Sequence, residues 1–80
     1  MDRRITSRQE FIDFLESFRK DFIENPDDWE NSNLDEFLEA MIRYTGDIQG
    51  YYDNTNQNLD ADKPDWSTFA DIFKGARIYE

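Results

Sequence analysis

The chain has 80 residues, a formal net charge of −10, and neither cysteine nor histidine. Its length allows one domain, residues 1–80, and the missing residue types exclude disulfides, thiolate zinc sites and the usual nucleophile–base pairs. No apolar run approaches the roughly 20 residues of a membrane span, and MDRRITSRQE lacks the apolar stretch of a secretory leader, so a cytoplasmic protein is expected.

The first helix follows Ser7, which has capping-box spacing to Glu10; Thr6 and Gln9 offer the same pair one residue earlier. Phe11, Phe14, Leu15, Phe18 and Phe22 then recur on one helical face, with Ile12 and Ile23 on its shoulder. Pro26 predicts an end near Asn25, because the residue before proline avoids helical geometry. The connection PDDWENSN carries one large apolar residue, Trp29. It is expected to fold back as a lid on the core; its other reading is an exposed recognition residue.

A second capping box, Asn33 with Glu36, opens the next helix, whose stripe is Leu34, Phe37, Leu38 and Met41. Gly46 could cap its end. Ile48 and Tyr52 nevertheless continue the same face, and Tyr51 lies two turns beyond Tyr44. An interior glycine costs about 1 kcal/mol relative to alanine, whereas burying a side chain such as Ile48 gains about 1.5–3 kcal/mol. The helix is therefore expected to run to about residue 53, as one piece or with a break near Gly46, Tyr52 inward and Tyr51 outward. NTNQNLDADKP (residues 54–64) is turn-forming sequence, pinned by Leu59. The last helix starts at Asp65 or Ser67, with Trp66, Phe69, Ala70, Phe73 and Ala76 as its stripe. No stretch alternates long enough for a strand. The expected fold is all-α, a small antiparallel bundle of three to four helices. Its core should centre on Phe11, Leu15, Phe18, Phe37, Leu38, Met41, Trp66, Phe69 and Phe73.

Catalysis finds little support. Gly46, Gly50 and Gly75 make no phosphate-cradling motif, and Asp35 with Glu39 reads as surface charge on a helix. The loop offers calcium-like spacing at Asn54, Asn56, Asn58, Asp60, Asp62 and Asp65, but Leu59 stands where the sharp turn needs glycine. It reads as a polar loop, and no cofactor or metal is expected.

The charge is unevenly spread. Residues 21–62 hold twelve acids and one base, Arg43, and the two ends together are close to neutral. Such a field repels nucleic acid and anionic membrane and draws basic partners in. An exposed Tyr51 beside it has the contact area of an interface anchor.

WEN at 29–31, FLEA at 37–40, GYY at 50–52 with Asn54, Trp66 with Ala70, and Ala76-Arg77 with Tyr79-Glu80 resemble, in order, a family of small uncharacterised bacterial domains. The resemblance covers residues 10–80 and implies a helical domain. In layout the chain is also similar to the DNase-colicin immunity proteins, small, acidic and four-helical, which use a tyrosine pair against a basic nuclease. Asp47, Ile48, Tyr51 and Tyr52 occupy a similar place here, with different internal spacing.

The expected function is a non-enzymatic protein-interaction module, of inhibitor or immunity type, for a basic protein partner. Tyr51 and Asp47 would anchor it, Asp53, Glu36 and Glu39 would form a steering rim, and Trp29 is a further contact candidate. Two alternatives stay open: a weak divalent-cation-binding regulatory domain using Asp60, Asp62 and Asp65, and a subunit of a homo-oligomer.

Overall fold

The computed structural model describes residues 4–80; residues 1–3, part of the stretch in which no leader is expected, lie outside the described residues. Three α-helices follow one another: α1 (Arg8–Glu24), α2 (Leu34–Asn54) and α3 (Trp66–Ile78), with one 3₁₀ turn at Pro26–Asp28. There is no strand among the described residues. The domain is all-helical.

Each helix starts where its cap dictates. Ser7 accepts from the Glu10 amide, Asn33 from the Glu36 amide, and Asp65 from the Thr68 amide. At Asp65 the box is reciprocal, since the Thr68 hydroxyl bonds the Asp65 backbone. Asn25 caps α1 at its C-terminus, as Pro26 requires. The end of α2 is a Schellman arrangement. Asn56 adopts a left-handed backbone (φ 59°), the Gln57 amide bonds the Tyr52 carbonyl, and the Asn56 amide bonds that of Asp53.

α2 runs through Gly46 without a break. Ile48 and Tyr52 explain why: both are buried, Tyr52 completely. Their combined burial, about 3–6 kcal/mol, exceeds the cost of about 2 kcal/mol for two interior glycines.

α3 packs between the other two helices. Trp66 meets Phe11 near the start of α1, and Arg77 reaches Asp21 near its end, so α3 runs alongside α1 in the same direction. Against α2 it runs antiparallel: Tyr44 lies on Gly75, and Tyr52 reaches back to Asp71. No Cα of α1 comes within 8 Å of a Cα of α2. Aromatic rings fill the space between them. Phe18 touches Phe37 and Trp29 at 6.3 and 4.7 Å between centroids, and Phe37 stacks on Phe73. Trp29 is the expected lid, 9% exposed, with its indole N–H donating to Asp21 Oδ2 at 2.8 Å.

Three residues expected at the centre of the core lie elsewhere. Leu15, Leu38 and Phe69 are at least one-third exposed. The leucines sit on the sides of α1 and α2 that turn away from α3, and no further helix among the described residues covers that side. Phe69 edges onto Trp66 at the open end of the molecule.

Candidate functional site

The second half of α2 and the C-terminal end of the chain build one tyrosine-rich surface. Tyr44 and Tyr51 lie two turns apart on α2, their ring centroids 6.4 Å apart. Tyr79, just past α3, meets Tyr44 edge-on at 5.1 Å. These rings border a cavity of about 560 Å³, whose walls also include Arg4, Asp71 and Lys74. Tyr51 stands at its lip, 46% exposed. Tyr52, beside it in sequence, points about 100° away into the core.

Hydrogen bonds fix the floor and rim. The Tyr52 hydroxyl donates to Asp71 Oδ2 at 2.7 Å, and Lys74 Nζ lies 3.7 Å from the other oxygen. The Tyr79 hydroxyl donates to the Asp47 carboxylate. Arg43 sits 5.6 Å from the Tyr79 ring centroid and pairs with Glu39 at 3.7 Å. Burial, then the neighbouring Tyr51 and Asp71, pushes the Tyr44 hydroxyl up to about 12. The Asp47 carboxylate raises that of Tyr79 by holding its proton. Burial, then the bond to Asp71, raises Tyr52. These three hydroxyls therefore stay protonated near neutral pH.

The expected contact residues divide into groups. Asp47 and Tyr51, one turn apart, share this surface. Asp53 lies about 200° from Tyr51 around the helix and accepts instead from the Gln49 amide. Glu36 and Glu39 are exposed at the other end of α2, about 18–23 Å from Tyr51 along the axis, with Arg43 between them and the tyrosines. Trp29 does not join the surface; it is spent on the core beside Phe18, Phe22 and Phe37. Sequence reasoning missed Tyr79, whose position after the last helix gives no periodic signal. Tyr44 was legible through its seven-residue spacing to Tyr51.

Two of the three loop carboxylates, Asp60 and Asp65, are engaged within the chain. Asp60 accepts from the Asp62 amide at 2.9 Å. Asp65 caps α3 and pairs with Arg4 at 2.9 Å. No group of three or more carboxylates capable of holding a metal ion occurs among the described residues. No helix among them is long and apolar enough to cross a membrane.

Residues 7–80 match DUF7660, a family of unknown function. No curated protein and no solved structure matches the chain.

Proposed function

Because the chain belongs to this family of unknown function, which brings no activity with it, we propose from its surface that it is a non-enzymatic, acidic protein-interaction module. Its partner is a basic protein, and its mode of action that of an inhibitor or immunity-type protein in the bacterial cytoplasm. One observation carries the reading: Tyr51 is half-exposed at the lip of a tyrosine-walled cavity, with Asp47 one turn before it on the most acidic part of the chain. A half-exposed tyrosine offers contact area at low entropic cost, and the chain's net charge of −10 raises the encounter rate with a cation-rich protein. The ring of Tyr79 already holds the chain's own Arg43, so this surface suits guanidinium groups.

Immobilised protein incubated with cell extract at low ionic strength tests this. Basic proteins should be retained, released by salt, and lost when Tyr51→Ala replaces the native chain. Retention of nothing, or of acidic proteins only, would reject the proposal, as would retention that Tyr51→Ala leaves intact.

A further inference from the structure

The side of α1 and α2 that faces away from α3 is uncovered and apolar. On α1, Ile12, Leu15 and Ile23 follow helical spacing, and on α2 Leu34, Leu38 and Ile42 repeat every fourth residue. Their exposure ranges from 36% at Leu15 to 75% at Ile42. The residues that reach α3 or the rings before it lie around the other side of each helix: Phe11, Phe18 and Asp21 on α1, Ala40 and Tyr44 on α2.

Charge tells what covers this face. Arg8 and Arg19 belong to the α1 stripe, since Arg8–Ile12, Leu15–Arg19 and Arg19–Ile23 are each one turn apart. Both arginines are exposed and have no ion-pair partner among the described residues; loop Lys63 is likewise unpaired, whereas Arg4, Lys20, Arg43, Lys74 and Arg77 each have one. The α2 stripe is edged instead by exposed Asp35, likewise unpaired, and by Glu39. The α1 stripe carries Arg8 and Arg19 and one exposed acid, Glu16, whereas the α2 stripe is edged by acids. At Arg19 and Asp35 the face is complementary to itself.

We infer that two copies of this chain associate through the α1–α2 face, α1 of each lying antiparallel on α2 of the other. A two-fold axis parallel to the helices produces this pairing and preserves height along them. Within one copy, Phe18 and Phe37 are level, at 6.3 Å. Counting outward from that pair, Arg19 meets Asp35 of the other copy, Leu15 meets Leu38, Ile12 meets Ile42 and Ile23 meets Leu34, each within about two residues of level. Every contact occurs twice, as an isologous interface requires. The net charge of −10 on each copy opposes approach, but at physiological salt it is screened over about 8 Å, while the arginine–carboxylate pairs act at contact. The Tyr51 surface lies on another side of α2 and stays open in the dimer. This inference is therefore independent of the basic-partner proposal.

Sedimentation equilibrium of the full chain is the test, with far-ultraviolet circular dichroism confirming the fold of each variant. The native chain should sediment at twice its 9.7 kDa mass in the micromolar range. Ile42→Asp, at a position already three-quarters exposed, should raise the dimer dissociation constant at least about tenfold. Arg19→Glu should weaken association similarly, and adding Asp35→Arg to it should restore association. Adding Asp62→Arg, which changes the net charge equally but lies in the loop, should not. A native chain that stays monomeric at high micromolar concentration overturns the inference. Equal rescue by Asp35→Arg and Asp62→Arg, or no rescue by either, overturns the pairing.

Discussion

The ring of Tyr44 lies against the backbone of α3 at Gly75, and a Cβ placed on Gly75 would overlap three of its ring carbons. The two helices meet this closely because one of them has no side chain there. The other two glycines are different. Around Gly46 and Gly50 there is nothing within 4 Å of where a Cβ would be.

The three glycines should therefore respond oppositely to one substitution. Gly46→Ala and Gly50→Ala should each stabilise the fold by about 0.5–1 kcal/mol, because alanine is the better helix former and has room. Gly75→Ala should destabilise it by about 1–3 kcal/mol, because overpacking outweighs the same helical preference. Urea denaturation of the three variants checks both signs.

Tyr52→Phe should cost about 1–3 kcal/mol at neutral pH, since it removes the donor that satisfies Asp71. It should also change the alkaline limb of the stability curve. Tyr52 and Tyr44 both have hydroxyls raised above their ordinary value of 10. A raised folded-state value means a contribution fully present below about pH 10 and lost as pH rises through the folded-state value, about 12 for Tyr44. Stability should fall steeply above pH 10 in the native chain and less steeply in Tyr52→Phe, as thermal melts across that range would show.

At acid pH the relevant groups are Asp21 and Asp65. The indole N–H of Trp29 lowers Asp21, aided by Asn25 and Arg77. For Asp65, burial works upward, but bonds from Thr68 and Arg4 outweigh it and leave a lowered value. Depressed folded-state values give stability that is present above about pH 4 and lost as pH falls through the folded-state range. Asp65→Ala should cost about 0.5–2 kcal/mol near neutrality through loss of the cap. Asp65→Asn should cost less, because asparagine also caps, yet it should flatten the acid limb. Denaturant titrations at neutral and acid pH separate these two effects.

Trp29→Ala should cost about 3–5 kcal/mol, the range for a large buried aromatic, and in so small a domain this should unfold much of the population. Trp29→Phe keeps most of the contact with Phe18, Phe22 and Phe37 but strands Asp21 without its indole donor. It should cost less and leave a folded protein whose acid limb is shallower. Circular dichroism melts distinguish the two variants.

The helices were legible because their determinants are local. Ser7, Asn33 and Asp65 cap within three residues, Pro26 acts on its immediate neighbour, and the aromatic stripes repeat at the helical period. The same period placed Tyr52 inward and Tyr51 outward, so half of the candidate anchor was readable from spacing alone. The left-handed Asn56 that ends α2 was not, because Asn and Asp crowd that segment and any of several could have made the turn.

What periodicity could not supply was which flank of each stripe meets a neighbour. Leu15 and Leu38 fit their stripes as well as Phe18 and Phe37 do, yet the phenylalanines are gathered against α3 and the leucines face outward. That choice depends on where α3 docks, and its docking is decided by long-range fits such as Tyr44 on Gly75 and Tyr52 on Asp71. Tyr79 entered the tyrosine surface by the same route, carried there by the chain that follows α3. The sequence by itself determined where the capped helices start and which residues form their apolar stripes; that α2 runs unbroken through Gly46 was decided by the burial of Ile48 and Tyr52. Only the tertiary structure decided which parts of those stripes became core and which were left exposed, because that depends on contacts between residues far apart in the chain.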